Sequence, residues 1–140
     1  MIRLSRPEDL PQILEIWLQG NLDAHPFIPP DYWRKNRALA AQLIPLATVY
    51  VSEREGVLNG FLGLTSGQIA GLFVRRGARS AGVGGALLET AQSPGGTLEL
   101  CVYEKNTAAL RFYRRHGFLP THCRTDPATG EAELVMVWSA

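Results

Sequence analysis

The sequence predicts a single α/β domain over residues 1–140, with elements in the order β-α-α-β-β-β-α-β-α-β-β. Three observations predict it. Strand-like and helical apolar patterns interleave along the chain, with no linker, repeat or low-complexity tract between them. A stretch with glycines at 77, 82, 84 and 85 stands directly between a strand pattern and a helix pattern. The chain then closes on two strand patterns joined by a loop, read as an antiparallel pair. A domain of 140 residues buries enough surface to fold without disulfide or metal staples.

Each element has its own signal. Ile2 to Leu4 reads as a short strand, and Ser5-Arg-Pro-Glu8 has the form of a capping box. Leu10, Ile13, Leu14 and Trp17 then follow helical spacing, and Gly20 is expected to end that helix. A loop is expected from Asn21 to Pro30, carrying Asp23, His25, Pro26, Phe27 and Ile28. A second helix runs from near Asp31 through Leu39, Leu43 and Ile44 until Pro45 disrupts it. Thr48 to Ser52 is a strand by its β-branched and aromatic content, and Phe61 to Thr65 is the next. Glu55-Gly56 and Asn59-Gly60 are expected to turn the chain between them. Gln68 to Val74 enters the glycine stretch, and Leu87, Leu88 and Ala91 mark one face of the following helix.

Ser93-Pro-Gly-Gly96 breaks that helix. From Thr97 to Tyr103 the chain alternates, with Leu98, Leu100 and Val102 on one face and Glu99, Cys101 and Tyr103 on the other. Asn106 is a good N-cap for a helix from Thr107 to His116, with Gly117 as its stop. Phe118 to Arg124 and Glu133 to Trp138 form the closing pair.

Composition excludes several classes. The net charge is +1 and the basic residues are scattered, which argues against nucleic acid as the main partner. No apolar run approaches the ~20 residues of a membrane span, and Met1 to Arg6 holds no signal-peptide core. Cys101 and Cys123 have neither the number nor the spacing for a disulfide framework or a zinc site, so no metal is expected. A cytoplasmic protein, monomer or homodimer, is the expectation.

The glycine stretch suits an anion. Glycine at 82 and 84 removes the Cβ atoms that keep a ligand from the backbone, and a helix N-terminus leaves amides unpartnered. Those amides and the helix dipole favour a pyrophosphate, with Arg75, Arg76 and Arg79 adding charge beside it. A P-loop is excluded because Val83 and Gly84 stand where Lys and Ser/Thr belong. A dinucleotide fingerprint is excluded because Leu87 takes the place of its third glycine.

What remains, Arg79-x-x-Gly82-x-Gly84, resembles the coenzyme A pyrophosphate loop of the GCN5-related N-acetyltransferases (GNAT). Farther along, Asn106-x-x-Ala109-x-x-Phe112-Tyr113-x-x-x-Gly117-Phe118 closely resembles a second signature of that family. Two motifs in order, in matching elements, identify the chain as resembling small bacterial single-domain members over nearly its whole length. The resemblance implies a mixed, mostly antiparallel sheet of six or seven strands, splayed at its centre and flanked by about four helices. It implies acetyl transfer from acetyl-coenzyme A, the cosubstrate, to a primary amine of a protein lysine, a peptide or a small molecule, by direct attack in a ternary complex. It also implies residue roles. Leu72, Phe73 and Val74 would pair with the pantetheine amides. Arg79, Ser80, Ala81, Gly82, Val83 and Gly84, with Gly85 nearby, would hold the pyrophosphate. Asn106 would contact the pantetheine arm, and Tyr113 would protonate the departing thiolate. A phenol with a pKa of about 10 stays protonated at neutral pH and suits that role.

One departure leaves the base open. The family's strand glutamate falls on Cys101 here. Glu99, two residues back on the same face, and His25 on the acceptor-side loop are the two candidates. An acetyl-cysteine intermediate on Cys101 is the less favoured route, because a small apolar cysteine in a strand usually packs. His25, Phe27, Tyr32 and Trp33 are the expected acceptor-site residues. The competing class is a non-catalytic acetyl-coenzyme A sensing module.

Overall fold

A computed structural model describes residues 1–79 and 81–140. Seven strands form one sheet in the order β1-β2-β3-β4-β5-β7-β6, numbered along the chain. The strands are β1 (Ile2–Leu4), β2 (Thr48–Arg54), β3 (Val57–Thr65), β4 (Gln68–Val74), β5 (Thr97–Tyr103), β6 (Leu119–Thr125) and β7 (Ala132–Ser139). The four α-helices are α1 (Leu10–Ala24), α2 (Pro30–Leu43), α3 (Val83–Gln92) and α4 (Thr107–Arg115). Only the β4–β5 junction is parallel, and the other pairings are antiparallel. Among the described residues, no helix is long and apolar enough to cross a membrane.

The two faces of the sheet bury separate clusters. Ile13 and Ile16 of α1 pack on Val49, Val51, Leu58 and Phe61. On the opposite face Leu87, Leu88 and Ala91 of α3 and Tyr113 of α4 pack on Leu62, Ile69, Leu98, Leu100, Val102 and Met136, with Phe118. Leu87 and Leu88 are fully buried, each contributing roughly 1.5–3 kcal/mol of apolar burial. The alternation expected for residues 97–103 is what places Leu98, Leu100 and Val102 in the second cluster.

Three local expectations are corrected. Helix α1 does not stop at Gly20 but runs on to Ala24. A Cβ at Gly20 would lie 2.5 Å from Cδ1 of Phe73, so this glycine permits a close approach of α1 to β4. Asn21 and Asp23 therefore lie on the last turn of α1, not in a loop. Asn59-Gly60 lies inside β3, where the register passes from Gly60↔Ser52 to Leu58↔Glu53 and leaves Asn59 as the extra residue of a bulge. The turn is Glu55-Gly56, both at positive φ. At the first helix, Asp9 does the work expected of Ser5 and Glu8: its Oδ2 accepts the Arg6 N–H at 2.7 Å and pairs with Arg3 at 2.8 Å.

The sheet opens between β4 and β5. The two strands share one register pair, Gln68↔Glu99, and then diverge. On its other side β4 pairs with β3 up to Val74, with Ala70 bulged out between Gly71 and Ile69. From Ile69 onward the β5-facing edge of β4 therefore has no partner strand among the described residues.

Candidate active site

The diverging strands frame a cleft of about 530 Å³. Its lining joins four parts of the chain far apart in sequence, one of them Glu133 alone, from β7. Ile69 to Val74 and Arg79 come from β4 and the loop after it. Leu100 to Tyr103, Asn106, Ala109 and Tyr113 come from β5 and α4. Asn21, Asp23, His25 and Trp33 come from α1 and α2. Leu72, Phe73 and Val74 thus lie along the open edge.

Gly82 caps α3 in the left-handed region, at φ 81° and ψ 5°, and no side chain caps the helix. The first helical bond runs from the Ala86 N–H to the Gly82 carbonyl, so the amides before it have no intrahelical partner. Among the described residues, nothing lies within 4 Å of a Cβ built on Gly82. Gly85 has a different role: a Cβ there would meet His116 Nε2 at 3.3 Å, so it packs α3 against α4. Ser80 lies outside the described residues.

The three arginines divide their work. Arg75 turns away, its Nε donating to the Leu58 carbonyl at 2.9 Å and its Nη1 pairing with Glu15 at 3.1 Å. Arg79 donates from Nε to the Val74 carbonyl at 3.0 Å and pairs through Nη2 with Asp23 at 3.0 Å. Arg76 also holds Asp23, at 2.5 Å. Asp23 takes a further bond from Gln19. Arg76 above all, with Gln19 and Arg79, holds its carboxyl down at about 2. Asp23 thus ties α1 to the loop that precedes α3.

Tyr113 is 8% exposed and lines the cleft from α4, its ring edge-on to Phe112 and Phe118. Burial pushes its phenol well above the ordinary value, so the hydroxyl keeps its proton. Asn106 serves twice: its Oδ1 accepts the Ala109 N–H at 3.3 Å as the cap of α4, and its Nδ2 lies 3.5 Å from Nε2 of His25.

His25 ends α1 inside an aromatic box. Its ring stacks on Trp33 at 5.2 Å and meets Tyr103 and Phe27 edge-on at 5.0 and 5.7 Å. Desolvation lowers its pKa to about 4, so the imidazole is neutral at pH 7. Nδ1 of His25 and Nε1 of Trp33 are buried without a hydrogen-bond partner among the described residues. Trp33 lines the cleft with His25, whereas Phe27 and Tyr32 stand behind them, Tyr32 edge-on to Trp33 at 4.9 Å and Phe27 beneath the Lys105 ammonium. Glu99 is exposed at the closed end, next to the β4–β5 pair, and does not line the cleft.

Two lining residues escape a reading by motif. Tyr103 shares the Cys101 face of β5, and its hydroxyl donates to Asp126 at 2.5 Å. Glu133, on β7 opposite Tyr103, is 8% exposed and accepts from Nε of Arg124 at 2.7 Å. Arg124 Nη2 also reaches Sγ of Cys101, at 3.1 Å. Strand alternation could have found Tyr103. Nothing local to residues 132–139 announces that Glu133 reaches the cleft, since that depends on which strand β7 pairs with. Cys101 is half-buried, and burial above all raises its thiol pKa, which disfavours the thiolate a nucleophile needs.

Residues 45–120 match the family model described as "Acetyltransferase (GNAT) domain". The chain is 36% identical over 140 residues to the peptidyl-lysine N-acetyltransferase YiaC of Escherichia coli (strain K12), covering 99% of this chain and 96% of the relative. It is 32% identical over 122 residues to the peptidyl-lysine N-acetyltransferase YjaB of the same organism, covering 86% and 82%. The apo solution structure of Escherichia coli YjaB superposes with a TM-score of 0.84 at 29% identity, over 99% of this chain and 96% of that one. The PaiA N-acetyltransferase of Thermoplasma acidophilum in complex with coenzyme A shares the fold, with a TM-score of 0.82 at 17% identity over 100% and 98%.

Proposed function

The chain belongs to the GNAT acetyltransferase family and is an acetyl-coenzyme A-dependent N-acetyltransferase, and from that premise we propose that its acceptor is the ε-amino group of a protein or peptide lysine. The observation that carries the choice of acceptor is the likeness, over nearly the whole chain, to a relative named as a peptidyl-lysine N-acetyltransferase. The cleft is consistent with it. The rings of Trp33 and Tyr103 line its acceptor end, where an aliphatic stem loses its hydration without needing hydrogen bonds.

The described residues fit the cosubstrate. The open edge of β4 offers backbone N–H and C=O groups to the amides of a pantetheine arm, as an added strand would. The uncapped N-terminus of α3, with a glycine at positive φ, offers free amides to a pyrophosphate. Arg79 serves it by exchanging Asp23 for a phosphate oxygen. When bound, acetyl-coenzyme A supplies the activated acyl group. Backbone N–H groups near Val74 polarise its carbonyl, and the fold holds the amine against it. Tyr113, protonated by virtue of its burial, donates to the departing sulfur. In this reading the enzyme works in a bacterial cytoplasm, where the unpaired Cys101 and Cys123 stay reduced.

Thiol release from acetyl-coenzyme A tests the reading, across lysine peptides, peptides with only an N-terminal amine, polyamines and aminoglycosides. Release is expected with lysine peptides, and Tyr113→Phe is expected to lower kcat by about 100-fold while coenzyme affinity stays within a factor of two or so of the parent. Release with polyamines or aminoglycosides alone would replace lysine by a small-molecule acceptor. Tight coenzyme binding without release on any amine would favour a sensing module.

A further inference from the structure

The position where the family carries a strand glutamate is Cys101, yet the cleft is not without a carboxylate. Two carboxylates line it among the described residues, Asp23 and Glu133. Asp23 is committed to Arg76, Arg79 and Gln19 at the loop end. Glu133 is at the acceptor end, opposite Tyr103 in the β5–β7 ladder, while Cys101 faces Val135 two positions along. Residues two apart on paired strands share a face, so Glu133 lies diagonally across from Cys101 on the side of the sheet where a glutamate at 101 would project. Arg124 makes the connection physical: one guanidinium touches both Oε1 of Glu133 and Sγ of Cys101. Oε2 of Glu133 accepts no hydrogen bond from Arg124, whose Nε takes Oε1.

We propose that Glu133, presented from β7, receives the acceptor's ammonium group and removes its proton, in place of the carboxylate missing at position 101. The assignment rests on the lysine reading above. An ammonium arriving past Trp33 and Tyr103 meets the free oxygen of a nine-tenths-buried carboxylate, where attraction is stronger than in water. Glu133 takes one proton from R–NH₃⁺ and becomes the carboxylic acid. The nitrogen lone pair then bonds the thioester carbonyl carbon, the C–S bond breaks, and Tyr113 gives its proton to the thiolate sulfur. The second nitrogen proton returns to the Tyr113 phenolate as the amide forms, and Glu133 releases its own to solvent past half-exposed Arg124. One proton leaves per turnover. The groups around Glu133 are Arg124 on β6, which is bonded to it, Tyr103 opposite it and Cys101 diagonally across on β5, and, through Tyr103, Asp126 and His25. Of these, only Arg124 is cationic at neutral pH, because burial keeps His25 neutral.

The test is the pH profile of kcat/KM for a lysine peptide in the parent, in Glu133→Gln and in the double variant Glu133→Gln/Cys101→Glu, with coenzyme affinity and thermal unfolding alongside. Glu133→Gln is expected to lose about 100-fold at pH 7 with coenzyme affinity retained. Its residual rate should climb about tenfold per pH unit, as the free amine does below its pKa of about 10.4. Restoring a carboxylate on the same face at position 101 should recover at least tenfold of that loss and flatten the climb. A Glu133→Gln protein with the parent's rate and profile would overturn the proposal and leave the lysine reading intact. A slow Glu133→Gln protein with an unchanged profile and no recovery in the double variant would reduce Glu133 to a structural ion-pair partner, and also overturn it. A folded parent that acetylates no lysine peptide would sink both.

Discussion

The two ends of the cleft are built from different materials. The end proposed for the coenzyme offers backbone: the edge of β4 beyond its one β5 pair and the N-terminus of α3, shaped by a glycine at φ 81°. The end proposed for the acceptor offers side chains, and four elements bring them: His25 closes α1, Trp33 lies in α2, Tyr103 ends β5 and Glu133 is the second residue of β7. A backbone site needs a short run of residues with particular conformational freedom, and such runs survive as motifs. A side-chain site needs only that distant positions converge.

The largest expected effect breaks the coenzyme end outright. Gly82→Glu forces a side chain into the left-handed region, at about 1–2 kcal/mol, and sets a carboxylate against the incoming pyrophosphate. Coenzyme affinity should fall by at least about 100-fold by calorimetry. Gly82→Ala separates the two causes: among the described residues no atom lies within 4 Å of the new Cβ, so strain alone should cost about tenfold. Equal losses in the two variants would mean that charge plays no part, and unchanged binding in both would remove the loop from the site.

The next prediction tests the acceptor end by pH. Burial depresses His25 to about 4 against about 6.5 in an unfolded chain. Between those values the unfolded chain binds the extra proton, so stability declines as pH falls below about 6.5, and the whole contribution is gone below about 4. The loss is roughly 3 kcal/mol. Denaturant unfolding at pH 7, 5.5 and 4 should show the parent losing that much more than His25→Gln. Parallel losses would mean that the aromatic box does not exclude water from the ring.

The same contrast explains what could be read from the sequence. The element order, the splayed α/β class and the cap of α4 at Asn106 follow from local patterns or from the two motifs that resemble the family. Gly20, Asn59 and Gly60 misled for a shared reason. Glycine and asparagine mark turns only when nothing else needs them. Gly20 is spent on the approach of Phe73, and Asn59 is the extra residue of a bulge whose carbonyl accepts the Arg75 N–H at 2.6 Å. Glu99 looked nearer the chemistry than it is, because strand alternation gives the face but not the depth along a diverging pair. Glu133 was invisible because its position depends on β7 inserting between β5 and β6, a pairing no local pattern encodes.

The smallest expected effect lies at the seam between the two ends, where α1 rides over β4. Gly20→Ala adds a methyl 2.5 Å from Cδ1, 3.0 Å from Cγ and 3.3 Å from Cβ of Phe73, so the ring as a whole must move. Overpacking of this kind costs about 1–3 kcal/mol, and alanine in a helix interior returns about 1 kcal/mol over glycine. The net loss should be on the order of 1 kcal/mol, a fall of about 3 °C in Tm. Because Phe73 also lines the cleft, coenzyme affinity should weaken with it. Phe73→Leu shortens the obstructing side chain, so the double variant Gly20→Ala/Phe73→Leu should be more stable than the sum of the two single changes, by at least about 0.5 kcal/mol. Strict additivity would show that α1 can shift without β4, and the two ends of the cleft would then be mechanically independent.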